Sequence, residues 1–298
     1  MIKLTTYKNR PAINFSTKSL SATFLPFDGA KLCSLIKTSN LEELLVVKSG
    51  NEYKRLDYNG DYVSAECSGF DDMFPTVDPF TATDGEYKGI TYPDHGETCR
   101  IPYDYELTEN KIIFRAKSKL FPITYVKEVS EENDEIILNY VIKNEGSVQF
   151  EYLWAGHIML KGNDDTKIIT PFNEDTPVEF MFSSKGFDVN LLPKNKLIKY
   201  QPQIGSAYKF YYLEKIKKGE FSLAYGDGSL LKFSYDKDKL PYLGIWLNNG
   251  EFQNLYSITP EPCTAPFDSP NRAKKRGYSS IIDKNSELNF KISISLKE

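Results

Sequence analysis

The chain has 298 residues, a formal net charge of −4 and a pI near 5.5, so it has no global basic field and nucleic acid is excluded as its main partner. The basic runs Lys215–Lys218 and Arg272–Arg276 are short and read as solvated surface. The four cysteines (Cys33, Cys67, Cys99, Cys263) are widely separated and no window reaches the roughly 18 apolar residues of a membrane span, so the expectation is a reduced, cytoplasmic protein with no structural zinc, no other metal and no membrane partner. Tyr and Phe are plentiful, and short alternating runs recur between turn residues, the pattern of antiparallel strands half-buried on one face. Ser19–Gly29 followed by Lys31–Thr38 reads as a hairpin. Leu41–Lys48 is either a helical turn or a strand, and Tyr53–Ser64 has no clear period. From Ser68 to Pro102 the composition shifts to Gly, Pro, Asp and aromatics, a long non-periodic segment of the kind a compact domain keeps for function. Lys111–Lys117, Ile123–Val129 and Glu135–Asn144 form a β-meander with a polar turn at Glu131–Asp134. Phe150–Leu160 is a largely apolar strand. Asn163–Lys218 mixes strands such as Lys167–Thr170 with Pro- and Lys-rich loops. Phe221–Tyr235 carries an Asp-Gly hairpin turn, and Leu240–Gly250, Tyr256–Pro270 and Leu288–Leu296 complete the chain. The expected fold class is all-β: one large antiparallel β-sandwich with very little helix, a single domain over residues 1–298.

Two histidines occur in the whole chain. His95 lies in Tyr92-Pro-Asp-His-Gly-Glu-Thr-Cys-Arg100 and His157 in Ala-Gly-His, each beside a glycine that lets a partner approach the ring. Glu261 sits between Pro260 and Pro262 just after a strand, where backbone freedom is small. Taken alone, His157 also fits a core imidazole bonded to a carbonyl, His95 a turn residue and Glu261 a rigid surface carboxylate. Glu97 and Arg100 could pair with each other across a turn, and Trp154 and Trp246 read first as core aromatics.

Six short elements recur in order: Gly69-Phe to Phe74-Pro75, Gly85-Glu-Tyr87, His95-Gly96, Gly156-His157, Leu243-Gly-Ile-Trp246 and Glu261-Pro262. Together they cover most of the chain, which resembles the aldose 1-epimerase (galactose mutarotase-like) family. The resemblance implies the mutarotase-like supersandwich with a sugar cleft on one sheet, where His95 and His157 match the family's site histidines and Glu261 its base. It also departs from the pattern. The family commonly has an arginine after Phe-Pro and a His-Gly-Phe-Ala-Arg motif, whereas here Phe74-Pro75 leads into Thr-Val-Asp-Pro, and His-Gly-Glu-Thr-Cys-Arg puts Arg100 one residue later. Asp227, Asp236 and Asp238 all lie near the region expected for the family's site aspartate.

The implied activity is mutarotation of a free aldohexose, a small-molecule sugar, by a monomer or homodimer. A base takes the anomeric hydroxyl proton, an acid protonates the ring oxygen, and the opened aldehyde recloses on its other face. Glu261 would be the base, His157 the acid and His95 a donor to the sugar. Arg100, Glu97 and Trp246 would be substrate contacts, and no cofactor is needed. The alternatives are a non-catalytic carbohydrate-binding protein on the same fold and a glycoside hydrolase, which would want two carboxylates across the bond, such as Glu261 with Glu97 or Asp94.

Overall fold

The structure is a computed structural model that describes residues 1–163, 165–173, 175–184 and 205–298. Within the stretch read as Asn163–Lys218, residues 164, 174 and 185–204 lie outside the described residues. Alternating burial along the strands builds two large antiparallel sheets. The ten-stranded sheet runs, in spatial order, Ile2–Tyr7, Arg10–Ser16, Leu20–Leu25, Lys31–Lys37, Phe70–Met73, Ala155–Ile158, Tyr256–Cys263, Tyr242–Asn249, Ser206–Tyr212 and Val178–Ser183. The eight-stranded sheet runs Lys167–Ile169, Glu220–Ala224, Leu230–Tyr235, Glu287–Lys297, Glu135–Asn144, Ile123–Glu132, Ile112–Lys117 and Asp104–Leu107.

The local chemistry explains the hairpins. Asn133 and Asp134 both take positive φ (52° and 67°), the tight two-residue turn whose twist suits a hairpin, and they join strands paired from Ile123↔Asn144 to Glu132↔Glu135. Gly228, at φ 89°, closes a longer turn between Glu220–Ala224 and Leu230–Tyr235, in which Tyr225 N donates to Ser229 O and Gly228 N to Tyr225 O. Leu41–Lys48 settles as neither helix nor strand and keeps only isolated bridges, Ile36↔Glu43 and Leu45↔Leu160. Among the described residues the only α-helix is the six-residue Pro270–Lys275. It carries most of the basic run Arg272–Arg276.

One hydrophobic cluster lies between the sheets, joining Phe24, Phe70 and Phe210 of the larger to Phe114, Tyr125 and Phe290 of the smaller. Side chains alternate along a strand, and Phe210, Ile245, Leu247 and Ile258 belong to this core. Lys209, Trp246, Asn248 and Glu261, on the alternate positions, therefore share the opposite face of the ten-stranded sheet. That outer face carries the cleft.

Candidate active site

Glu261 lies inside the strand Tyr256–Cys263 rather than after it, with its backbone opposite Gly244. Pro260 and Pro262 cannot donate to a ladder. The neighbouring chain is tied to this strand only beyond them. Ile258 N donates to Leu160 O and Leu160 N returns to Ile258 O at one end, and Thr264 N donates to Trp154 O at the other. Prolines thus occupy the even-numbered positions that would otherwise donate toward 156–159, and His157 faces Glu261 across this interrupted ladder. His157 Nε2 stands 4.0 Å from Glu261 Oε1.

The His95 loop is fixed by close backbone contact. His95 N donates to Val77 O, Gly96 has φ +75°, and a Cβ on Gly96 would lie 2.5 Å from Phe74 O. The glycine is needed by the loop itself, since only a residue without Cβ fits against Phe74. His95 takes positive φ (57°), and its Nδ1 is 2.8 Å from Asp94 Oδ1. Its ring stacks on Tyr62 with centroids 3.8 Å apart and planes 8° from parallel.

His95, His157, Glu261 and Trp246 all line one cavity of about 290 Å³. Its lower-end volume, against roughly 300–1,000 Å³ for small-molecule sites, suits a single small ring. One wall is apolar, with Trp246, Phe182 and Phe252 gathered at ring-centroid distances of 5.4–5.8 Å. The floor is charged. Lys209 Nζ is 2.7 Å from Glu261 Oε2 and 2.6 Å from Asp268 Oδ1, and Tyr211 OH donates to Asp268 Oδ1 at 2.6 Å.

Glu261 is 0 % exposed. Neither of its oxygens accepts a well-aligned hydrogen bond from the described residues, so the short Lys209 contact is ionic, and Oε1, 4.0 Å from His157 Nε2, is otherwise uncommitted. Burial pushes the Glu261 carboxyl up, and Asp268 adds to this while Lys209 opposes it. Burial holds the His157 imidazole well below its usual value, with His95, Lys209 and Lys31 acting in the same direction. Behind His157, the Tyr62 hydroxyl donates to Asp71 Oδ2 at 2.8 Å and stands 3.4 Å from His157 Nδ1. Lys31 neutralises Asp71 at 2.9 Å.

Arg100 and Glu97 do not line this cavity and do not pair with each other. Arg100 spends its guanidinium on the carbonyls of Asp94, Gly96, Asp57, Tyr58 and Gly60, clamping the His95 loop to the segment around Tyr62. Glu97 accepts from Tyr58 OH, Ser118 Oγ and Lys119 N. Both are buried, and position rather than sequence proximity decides their work. The three candidate aspartates are also elsewhere: Asp227 is an exposed partner of buried Lys37, and Asp236 and Asp238 lie in an exposed turn. Arg272, read as solvated surface, reaches the cleft edge beside Asp78. Trp154 is core, donating its indole N–H to Tyr125 OH.

The sequence reading missed Lys209, Asp268 and Tyr62. Lys209 did leave a signal, as the one charged residue in Ser206-Ala-Tyr-Lys-Phe-Tyr-Tyr212, a run buried throughout, where a cation needs a carboxylate. Tyr62 left none, because its segment has no period.

No protein-family model and no curated protein matches the chain. Solved structures do match over nearly all of it. A protein of Klebsiella pneumoniae provisionally named aldose 1-epimerase matches 98 % of this chain and 81 % of its own length at a TM-score of 0.72 and 15 % identity. A galactose mutarotase-like protein from Clostridium acetobutylicum matches 100 % and 98 % at 0.68 and 14 %. A galactose mutarotase related enzyme from Lactobacillus acidophilus matches 96 % and 97 % at 0.66 and 15 %. The chain has the galactose mutarotase-like fold, and the resemblance carried by its short motifs agrees with that fold.

Proposed function

We propose that the chain is an aldose 1-epimerase that interconverts the α and β anomers of a free aldohexose. The observation that carries this reading is the facing pair in one cavity: the buried Glu261, with Oε1 uncommitted, 4.0 Å from His157 Nε2. Glu261 takes the anomeric hydroxyl proton and His157 gives one to the ring oxygen as the C1–O bond breaks. Rotation about C1–C2 and reclosure return both protons. The reactive form is therefore carboxylate plus imidazolium, an arrangement that burial opposes and their mutual attraction favours. His95 donates to the sugar, and Trp246 offers its indole face to the apolar C–H side of the ring. The unbridged thiols support a reducing compartment.

A hydrolase reading is weaker, because the two carboxylates at the floor, Glu261 and Asp268, are gathered on one ammonium at 2.7 and 2.6 Å and so stand on one side. Hydrolysis would use carboxyl groups flanking the bond. Polarimetry on freshly dissolved α-glucose and α-galactose is the test, with release of reducing ends from a disaccharide as the control. Faster decay of optical rotation with the protein present supports the reading. Unaltered decay on a panel of aldoses that nevertheless bind would leave a carbohydrate-binding protein.

A further inference from the structure

Lys209 is the one cation in contact with Glu261 among the described residues, and the fold invests in holding it there. Its strand, Ser206–Tyr212, pairs with Tyr242–Asn249, which in turn pairs with the Glu261 strand. Tyr211 lies two residues further on the same face and packs over Gly244, where a Cβ would come within 2.6 Å of its ring. Gly244 lies opposite both Tyr211 and Glu261, so the missing side chain admits the tyrosine ring beside the glutamate. The tyrosine hydroxyl then reaches Asp268. Asp268 is held from the other side, since its carbonyl accepts the N–H groups of both Val77 and Asp78 and its φ is +63°. Three elements therefore converge to fix one ammonium against one carboxylate oxygen.

We propose that Lys209, backed by Asp268 and Tyr211, is a positioning residue for Glu261: it captures Oε2 and leaves Oε1 as the oxygen that meets the sugar. This rests on Glu261 being the proton acceptor proposed above. The contact also decides charge. Burial of a carboxylate at 0 % exposure favours its protonated form, and the adjacent ammonium opposes that shift. Asp268 serves as the counterweight, sharing the ammonium so that Glu261 is not neutralised outright. The groups facing Glu261 are Lys209 and Tyr211 from their strand, His157 from Ala155–Ile158, His95 from its loop, Asp268 from the turn and Cys263 from its own strand. Of these only Lys209 is a permanent cation.

The test reads Glu261 directly. Infrared or carboxyl-carbon NMR titration of the full chain, with Glu261→Gln as the blank, gives the protonation midpoint of Glu261 whether or not the protein turns over a sugar. Lys209→Met is expected to move that midpoint up and Asp268→Asn to move it down. The Lys209 charge also opposes protonation of His157, so both flanks of the pH–rate profile should move up together in Lys209→Met. Its kcat should fall about 10²-fold, the order expected when a reacting group is misplaced by an ångström. Lys209→Arg, which keeps the charge, should hold the flanks near their wild-type positions. If Lys209→Met does not fold, Lys209→Met/Asp268→Asn removes one charge of each sign, and Asp268→Asn carries the test by itself. Midpoints that stay fixed in the variants that fold, with only melting temperature or overall rate changed, overturn the proposal. Midpoints that move in a protein with no epimerase activity would support Lys209 as the control on Glu261 and remove the epimerase reading.

Discussion

Glu97 and Glu261 are both almost completely buried, and the molecule uses them in opposite ways. At Glu97, 2 % exposed, the carboxylate accepts from a tyrosine, a serine and a backbone N–H, while nearby Arg100 is consumed by carbonyls. At Glu261, 0 % exposed, one oxygen rests against Lys209 and the other has no hydrogen-bond partner among the described residues. A saturated carboxylate stabilises a loop, and an unsaturated one at a cavity wall is available for chemistry. Burial alone does not separate structural from reactive groups. Unmet hydrogen-bond capacity in a residue that lines a cavity does.

The same substitution at both sites should give opposite results. Glu261→Gln keeps the shape but cannot take the proton, so anomer interconversion by polarimetry should fall about 10²–10⁴-fold with the melting transition retained. Glu97→Gln should leave kcat close to wild type and lower unfolding free energy by about 1–3 kcal/mol in denaturant titration, because a buried acceptor is replaced by an amide that mismatches its donors. A large rate loss in Glu97→Gln would erase the distinction.

Arg100→Met sharpens it from the other side. Five carbonyls lose their donor, so stability should drop by about 3 kcal/mol, and KM should rise because the loop carrying His95 loosens against the Tyr62 segment. An unchanged KM with reduced stability would mean that His95 is held without the clamp.

The pH profile gives a smaller effect with a fixed sign. Burial raises the Glu261 carboxyl and lowers the His157 imidazole, and because the two groups stand 4.0 Å apart the profile is read as two apparent pKa values of the pair. Below the lower apparent pKa both hold protons and there is no base. Above the upper one both are bare and there is no acid. The rate should therefore be bell-shaped, with a plateau where a constant fraction carries the reactive arrangement. A rate that keeps rising with pH would remove His157 as the acid.

The smallest effect is expected at Trp246. Trp246→Ala should raise KM about tenfold or less with kcat nearly unchanged, since the indole meets substrate and transition state alike. A kcat loss as large as that of Glu261→Gln would place the aromatic wall in the chemistry.

Much of the fold was legible, because the signals are local. Alternation specified strands, and Asn133-Asp134 and Gly228 marked hairpin turns through their positive φ. Leu41–Lys48 and Tyr53–Ser64 were not, because their conformation is set by bridges and side-chain contacts to distant segments rather than by periodicity. Among candidate site residues, the two histidines stood out by rarity, while Glu261 between its prolines was singled out by the resemblance to the mutarotase-like family. Arg100 and Glu97 misled for the converse reason: nine chemically dense residues looked like a site, yet the chain turns at Gly96 and sends the later ones into the loop's own scaffold.

The sequence by itself determined a strand-rich chain, its hairpin turns and a short roster of proton-exchanging side chains, since each depends on neighbours within a few positions. Only the tertiary structure decided that Lys209 of one strand and Asp268 of a distant turn would share an ammonium contact beside Glu261. Partners of a buried charge are chosen by sheet order and register, and strands adjacent in a sheet can be far apart along the chain.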